Sequence, residues 1–361
     1  MPSAQKIKYP LLRVNLAKLK HNIKVVNEEC LRSGIRIWGV PKGVSSPVEV
    51  ARLYEEVGVE VLADSRLDNI RRMKEGGVNC KYALIRIPMR TELEEAVDLC
   101  DYILVSDIGT MEVLEQVCER RGKDIKCVVM FDMGDLREGF WFKDAEAVAR
   151  ALVKFNGRMK ISGVGANFSC ACGVLPTNRN VSALIECGKT IERVLGRPLE
   201  IYSGGGTCSF VQLRRGNLPK GVNSLRVGEA ILLGQDAAFD VILPGLAQDT
   251  MRLEAELVEV RTKPTMPIGE RGRDSFGNLH EFVDHGNRRR GVLAVGKQDV
   301  YADGLTPLDP GVHRITASSD HLLVDIEERP DLKVGDILSF LPNYPAMLSA
   351  STSPYITKVY E

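Results

Sequence analysis

The chain has 361 residues, and its 48 lysines and arginines balance its 48 aspartates and glutamates. This balance argues against nucleic acid or an anionic membrane as the main partner, and the length allows one large domain and a smaller second one. No stretch approaches the ~20 apolar residues of a membrane span. The nine cysteines show no CxxC spacing, and Cys170 and Cys172 have no histidine or carboxylate close in sequence, so we expect no metal site. We expect a reduced, cytoplasmic enzyme that acts on a small molecule.

Short apolar runs alternate with helical segments over the first two thirds of the chain. In the helical segments, apolar residues recur at the helical period, as at Val48, Ala51 and Leu53. Eight such alternations predict a parallel (β/α)8 barrel of the TIM type, which we assign to residues 1–243 and whose chemistry collects at the carboxyl ends of its strands. The predicted strands are residues 35–40, 59–63, 82–87, 102–105, 127–132, 161–166, 199–202 and 225–227.

Four strand ends carry residues of chemical interest. Lys42 follows the first predicted strand, where a lysine can serve as a Schiff-base amine. The fifth strand continues into residues 134–139, with Arg137 between two glycines. The seventh continues into Ser203, three glycines and Thr207, and the backbone N–H groups and hydroxyls of such a loop suit an anion. The eighth continues into residues 225–229. Because barrels commonly bind phosphate at their last two strands, the sequence predicts a phosphate site there.

The pattern changes after about residue 245. Residues 251–262 alternate strictly between apolar and charged side chains, as in a strand with one buried face. Further apolar runs at 291–295, 322–326 and 337–341 are separated by glycine, proline and aspartate turns. We therefore predict an antiparallel β domain over residues 244–361, with the arginine triplet 288–290 on a solvated strand edge.

The order of these loops resembles that of the alanine racemase-like, fold-type III pyridoxal phosphate enzymes, most closely their ornithine racemase branch, which acts on basic amino acids. The resemblance runs from Val14 to about Val359. It implies that pyridoxal 5'-phosphate is the cofactor and that Lys42 both forms the Schiff base and acts as a base. It implies further contacts to the cofactor: Arg137 at the phenolic oxygen, Arg226 at the pyridine nitrogen, and Ser203, Thr207 and the backbone amides of Gly228 and Glu229 at the phosphate.

The resemblance extends into the β domain. Tyr344 resembles a tyrosine that reaches the phosphate, and Ser319 and Asp320 resemble a segment that meets the substrate carboxylate from the neighbouring subunit. The resemblance therefore implies a homodimer with composite active sites. Asn167 stands where alanine racemases have a ring-stacking histidine, and we count it among the cofactor-binding residues.

The chain departs from alanine racemases at the second base. Those enzymes place a tyrosine in a Gly-Tyr-x-Asp segment, whereas residues 296–299 here read Gly-Lys-Gln-Asp. Ser46 and Phe276 also stand where tyrosines are usual, which argues against alanine as the substrate. Racemisation needs a base on each face of the α-carbon. The candidates for the second base are Lys297, Asp299, Tyr301 and Asp320, and the register favours the first two.

Two other functions compete with a racemase. A D-threonine aldolase-like lyase shares the fold, but it calls for a metal held by a His-x-Asp-like pair, and none of the five histidines stands in such a pair. A non-catalytic pyridoxal phosphate carrier would consist of the barrel alone. The sequence therefore predicts a pyridoxal phosphate-dependent, two-base racemase of a basic amino acid such as ornithine or lysine.

Overall fold

Eight parallel strands close into a barrel after an initial strand, β1 (Leu11–Val14). The structure is a computed structural model that describes residues 8–361. In chain order the next strands are β2 (Arg36–Gly39), β3 (Val61–Asp64), β4 (Lys81–Leu84), β5 (Tyr102–Val105), β6 (Ile125–Asp132), β7 (Phe140–Trp141), β8 (Met159–Ala166), β9 (Ile201–Ser203) and β10 (Ser224–Val227). The short β7 flanks β6, and the sheet closes on itself because β2 pairs with β10 and β5 with β6. The predicted (β/α)8 barrel is confirmed.

Helices follow the barrel strands and pack their apolar faces against them. In the helix from Ile108 to Arg121, the buried residues Met111, Leu114 and Val117 recur at the predicted spacing. The helices are α1 (Leu16–Arg32), α2 (Val48–Val57), α3 (Leu67–Glu75), α4 (Leu93–Leu99), α5 (Ile108–Arg121), α6 (Ala145–Leu152), α7 (Asn178–Leu195), α8 (Thr207–Arg214) and α9 (Glu229–Leu233), with short 3-10 turns at Pro41–Val44, Arg90–Glu92 and Phe142–Asp144. Within residues 8–361, no helix is long and apolar enough to cross a membrane.

The barrel interior is filled by side chains. The rings of Trp38 and Tyr102 pack at a tilt of 43° near its amino end, with centroids 5.0 Å apart, and Val40, Leu104 and Met130 are among the buried residues that continue the core. A packed interior of this kind leaves polar groups to the loops at the strand ends. The loops that follow the carboxyl ends therefore position the candidate site.

The remaining strands form a second sheet. They are β13 (Met251–Pro264), β14 (Asn287–Leu293), β15 (Leu305–Pro307), β16 (His313–Ala317), β17 (Leu322–Asp325), β18 (Ile337–Pro342) and β19 (Thr357–Tyr360), after a small hairpin of β11 (Gln235–Asp236) and β12 (Val241–Ile242); a 3-10 turn (Ala302–Gly304) and α10 (Tyr344–Thr352) accompany them. The main path runs β15-β18-β13-β14-β17-β16, and all these pairs are antiparallel. The antiparallel β domain is thus confirmed.

Two features of the second sheet differ from the sequence interpretation. β1 pairs antiparallel with β13 and parallel with β19, so the sheet contains one parallel pair. β14, which carries the arginine triplet 288–290, pairs with β13 on one side and β17 on the other. The triplet therefore lies on an interior strand, where Arg288 pairs with the carboxylate of Asp325, and the prediction of a solvated edge is wrong.

The chain divides into two units. One, the barrel unit, comprises residues 16–248, and the other, the β unit, comprises residues 249–361 together with residues 8–15. The division predicted from the sequence, 1–243 and 244–361, assigned β1 to the barrel. In the structure β1 belongs to the β unit because its backbone is hydrogen-bonded to β13 and β19.

Candidate active site at the carboxyl ends of the barrel strands

Lys42 lies in the 3-10 turn that directly follows β2. Its side chain is half-buried at the mouth of the barrel. Burial lowers the pKa of the Lys42 amine, Cys170 raises it, and the charge of Arg137 lowers it again. Because the net direction is downward, a larger fraction of this amine is neutral near pH 7 than in a solvated lysine. Only a neutral amine can attack a carbonyl carbon, so Lys42 is suited to form a Schiff base.

The turn after Lys42 has an unusual backbone. Ser45 and Ser46 both adopt left-handed conformations, with φ of 59° and 46°. Ser46 is completely buried, and its hydroxyl donates a hydrogen bond to the carboxylate of Asp64 at the end of β3. Asp64 also accepts from the backbone N–H of Arg66 at 2.8 Å and from the Asn69 amide at 3.1 Å. The sequence interpretation overlooked Asp64, although it follows a predicted strand just as Lys42 does.

Arg226, on β10, is 7% exposed and donates three hydrogen bonds within the protein. It donates to the Ser203 hydroxyl at 2.5 Å, the Ala166 carbonyl at 2.7 Å and the Asn167 side-chain oxygen at 2.8 Å. Burial lowers the pKa of Arg226 to about 10, so the guanidinium remains protonated at neutral pH. The strand ends of β8, β9 and β10 thus hold one fixed cation.

Glu138 connects the two arginines predicted to contact the cofactor. Its carboxylate forms an ion pair with Arg137, with an Nη2 to Oε1 distance of 2.5 Å. The same oxygen accepts a hydrogen bond of 2.6 Å from the Asn167 amide, which in turn accepts from Arg226. Arg137, Glu138, Asn167, Ser203 and Arg226 therefore form one continuous chain of hydrogen bonds, which we call the barrel cluster.

Two aspartates shape the loops around the barrel cluster. Asp132, at the end of β6, accepts hydrogen bonds from the backbone N–H groups of Gly134 and Leu136. Asp135 is buried, and its carboxylate accepts from four backbone N–H groups of the loop after β8 at 2.9 to 3.2 Å. Burial raises the pKa of Asp135, but these four donors lower it by more, so the carboxylate is ionised. The β6 and β8 loops are joined through this one side chain.

The loops after β9 and β10 are rich in glycine, so no Cβ atoms cover much of their backbone. Gly205 has a φ of 110°, which glycine adopts without strain. A Cβ atom at Gly206 would lie 3.1 Å from the Arg226 carbonyl oxygen, and one at Gly228 would lie 3.1 Å from the Val40 carbonyl oxygen. Thr207 begins α8, and its hydroxyl accepts a 3.2 Å hydrogen bond from the Ala230 N–H, which leaves its own hydrogen free to donate. Glycine at these positions leaves the space and the donors that a phosphate group needs.

The predicted residues of the β unit form a second group on its loops. Segment 296–299 is hydrogen-bonded to segment 318–320 through the N–H groups of Lys297 and Gln298, and the Gln298 amide donates to Asp320 at 2.5 Å. We call Lys297, Gln298, Asp299, Ser319 and Asp320 the β-unit cluster. Its close backbone contact requires glycine at position 296, because a Cβ there would lie 2.1 Å from the Ser319 carbonyl oxygen.

The two favoured second-base candidates differ within this cluster. Asp299 is buried, and its carboxylate accepts a 2.8 Å hydrogen bond from the Gly296 N–H, so it stabilises the turn. The Lys297 amine lies 3.7 Å from the carboxylate of Asp274 and 4.2 Å from the centre of the Phe276 ring. His280 also pairs with Asp274, at 2.7 Å. The Lys297 side chain thus contacts the long segment between β13 and β14. The Asp299 side chain instead bonds within its own loop.

A cavity of about 410 Å³ opens at the other end of the barrel. It is lined by residues that precede barrel strands, such as Glu60, Glu200 and Asn223. None of the predicted site residues, all of which lie in the described part of the chain, borders this cavity. The candidate site therefore lies at the carboxyl ends of the strands and not at this cavity. Within residues 8–361, no three histidine, cysteine, aspartate or glutamate side chains form a group that could hold a metal ion.

The family model of the alanine racemase N-terminal domain matches residues 14–236. The lysine racemase of Thermotoga maritima is 39% identical over 353 residues, which cover 98% of this chain and 99% of that protein. The chain belongs to the alanine racemase family.

Two further similarities accompany this family membership. The ornithine racemase of Acetoanaerobium sticklandii is 34% identical over 352 residues, covering 97% of this chain and 99% of that protein. A solved alanine racemase from Clostridium difficile 630 matches with a TM-score of 0.76 at 18% identity and covers 99% of this chain and 97% of its own. The structural match shows that this family member shares the alanine racemase fold.

The site residues of this alanine racemase family member fit pyridoxal 5'-phosphate. Lys42 offers an amine with a lowered pKa to an aldehyde. Arg226 offers a fixed cation to a ring nitrogen, and the glycine backbone with Ser203 and Thr207 offers donors to a phosphate. Tyr344 is the first residue of α10 in the β unit, next to Asn343, whose side chain caps that helix. The structure thus brings most of the predicted cofactor residues together in the barrel unit.

Proposed function

We propose that this protein is a pyridoxal phosphate-dependent racemase of basic amino acids, with ornithine or lysine as its substrate. The observation that carries the proposal is the placement of Lys42, a half-buried amine with a lowered pKa that follows β2, while the adjacent strand β10 carries the fixed cation Arg226. The names of the two relatives, lysine racemase and ornithine racemase, support the substrate class and favour racemisation over a lyase reaction.

Lys42 has two tasks in this proposal. When bound, pyridoxal 5'-phosphate supplies an electron-accepting ring that stabilises negative charge at the substrate α-carbon. Lys42 would hold the cofactor through its amine and would move a proton on and off one face of the substrate α-carbon. Its lowered pKa suits both tasks, because a neutral amine is both the nucleophile and the base.

Arg226 determines how far charge is withdrawn from the α-carbon. A guanidinium is a permanent hydrogen-bond donor, so a ring nitrogen beside it stays unprotonated and attracts electrons less strongly. The three acceptors on Arg226 hold it in place, and its pKa of about 10 keeps it charged. Restrained withdrawal favours return of the proton to the α-carbon, which is the outcome that racemisation requires.

The opposite face of the α-carbon needs a second base. We propose that it comes from the β-unit cluster of the partner subunit in a homodimer, with Lys297 as the first candidate because the Asp299 carboxylate already accepts from the Gly296 N–H. The Ser319 hydroxyl would contact the substrate carboxylate, and Asp320 has a carboxylate that suits an amino group on the substrate side chain.

Matched pairs of amino acids test the proposal. L-Lysine and L-norleucine have similar chains but differ by the terminal amine, as do L-ornithine and L-norvaline. Recognition of that amine by a charged partner is worth about 1.5–3 kcal/mol, so we expect kcat/KM about 10- to 100-fold higher for each basic member. The measurement is chiral chromatography of each L-amino acid after incubation with the holoenzyme. Equal rates within each pair, or fastest turnover of L-alanine, would contradict the substrate class.

A further inference from the structure

The strained turn after Lys42 needs something to hold it. Left-handed φ angles are unfavourable for side chains with a Cβ, and Ser45 and Ser46 adopt them consecutively. Such strain persists only where the surroundings over-determine it. Ser46 is completely buried, so the strain is not relieved by contact with solvent.

Asp64 lies at the centre of the contacts that hold this turn. Its carboxylate accepts from the Ser46 hydroxyl, from the Arg66 N–H at 2.8 Å and from the Asn69 amide at 3.1 Å to both oxygens. Arg72 then joins the Asn69 side-chain oxygen to the Ser45 carbonyl. Ser46 is therefore held through its side chain by Asp64 of β3, and Ser45 is held through its carbonyl by Arg72 of α3.

The Asp64 carboxylate also acts on the charge of Lys42. Burial raises the pKa of Asp64, and its hydrogen-bond donors oppose this shift without cancelling it, so the net direction is upward. The groups that act on the Lys42 amine are Cys170 of the β8 loop, Arg137 of the β6 loop, Asp64 of β3 and Arg226 of β10. Of these, the two arginines oppose a positive charge on the amine, whereas Cys170 and Asp64 favour it.

We propose that Asp64 is a positioning residue for Lys42, which holds the left-handed turn at Ser45 and Ser46 in place and supplies the buried negative charge next to the amine. The inference rests on the assignment of Lys42 in the proposed function. It explains why position 46 carries serine where glycine would adopt the same φ without strain. Glycine would lose the hydroxyl that connects the turn to Asp64.

The test measures Lys42 itself in cofactor-free protein. Trace acetic anhydride acetylates only neutral amines, and mass spectrometry of the Lys42 peptide across pH gives a midpoint, with the exposed Lys81 as internal reference. In Asp64→Asn we expect the Lys42 midpoint to move down by about one pH unit, because an opposite charge is removed. Asp68→Asn is the matched control, since this exposed carboxylate on α3 pairs with Arg71. An unchanged midpoint in Asp64→Asn would overturn the proposal.

Ser46→Ala tests the holding of the turn and covers the case in which Asp64→Asn does not fold. It keeps the Asp64 charge but removes one hydrogen bond, so we expect amide hydrogen exchange of residues 43–46 to accelerate at least about tenfold, which corresponds to loss of one buried hydrogen bond. The dissociation constant for pyridoxal 5'-phosphate should rise in parallel. Exchange equal to wild type would refute the holding role. If the wild-type protein has no racemase activity, the proposed function is wrong. The Lys42 midpoint and the hydrogen exchange of residues 43–46 would still test the role of Asp64.

Discussion

The barrel cluster and the β-unit cluster are built differently. In the barrel cluster, Arg226 is buried and makes side-chain hydrogen bonds to residues at the ends of neighbouring strands. In the β-unit cluster, the contacts that bring the two segments together are largely between backbone groups, and Asp320 and Gln298 are exposed. A side chain fixed by several other side chains tolerates few replacements, whereas a side chain on a loop fixed by its backbone can be exchanged without loss of the loop's shape.

This difference suggests a division of labour. The barrel cluster suits a cofactor, whose shape and charge do not vary and which needs pre-organised partners. The β-unit cluster suits the two tasks proposed for it, namely the second base and the recognition of the substrate side chain. The tyrosine of alanine racemases is missing from the β unit, at residues 296–299, whereas the barrel retains both predicted arginines.

The largest expected effect belongs to Lys42. Lys42→Ala should abolish racemisation and the covalent link to the cofactor, because none of the five residues of the barrel cluster carries an amine that could replace it. The control is Lys81→Ala, an exposed lysine at the start of β4. Borohydride reduction followed by peptide mapping checks the link. A reducible link at another lysine in Lys42→Ala would show that the amine is assigned wrongly.

Substitutions of the second-base candidates test the role proposed for the β-unit cluster. Lys297→Ala should stop interconversion but leave one enantiomer able to exchange its α-proton with deuterium, since Lys42 still serves its own face. Asp299→Asn should have a small effect, because an amide oxygen can still accept from the Gly296 N–H. Proton NMR in D2O follows exchange, and chiral chromatography follows interconversion. Tyr301→Phe and Asp320→Asn complete the set, and normal racemisation in all four variants would place the second base elsewhere.

A smaller effect is expected on the pH dependence of stability, and it comes from burial of the Glu229 carboxyl. Burial raises the pKa of this carboxyl from the ordinary 4.5 to about 7. The folded protein therefore holds a proton that the unfolded chain has lost, and stability falls as pH rises from about 4.5 through about 7, by at most about 3 kcal/mol. Glu229→Gln should remove this loss, so its stability relative to wild type should increase between pH 5 and pH 8.

Urea unfolding of cofactor-free protein at these two pH values measures the effect. The control is Glu186→Gln, an exposed carboxylate on α7 that pairs with Lys189. It should show the same pH dependence as wild type. A parallel pH dependence in Glu229→Gln and wild type would mean that the Glu229 carboxyl titrates normally and that the barrel mouth is more hydrated than its packing indicates.

The sequence predicted the barrel because buried parallel strands read as continuous apolar runs, and all eight runs became strands. It also predicted the residues at strand ends, since the barrel topology assigns them to one face. Pairing across the fold could not be predicted in this way. β1 is a short apolar strand like its barrel counterparts, and only its hydrogen bonds to β13 and β19 assign it to the β unit.

The residues that connect the site residues to one another could also be predicted only in part. Glu138 stands next to Arg137 in sequence, but its contact with Asn167 depends on the distance between two loops. Asp64 could have been noticed, because it directly follows the predicted strand 59–63. The contact of Lys297 with Asp274 and Phe276 arises from a segment without regular structure, for which no periodicity exists to be read.

The way in which Asp135 binds the β8 loop has a practical consequence for protein engineering. Its carboxylate accepts hydrogen bonds from the backbone N–H groups of residues 170, 171, 172 and 174. Every amino acid except proline has such an N–H group. Only the backbone N–H groups of Cys170, Ala171 and Cys172 bond to Asp135. Their side chains are exposed and do not contribute to these hydrogen bonds. A combinatorial library at these three positions would therefore vary the chemistry of the barrel rim on a scaffold of constant shape, provided that Asp135 is left intact.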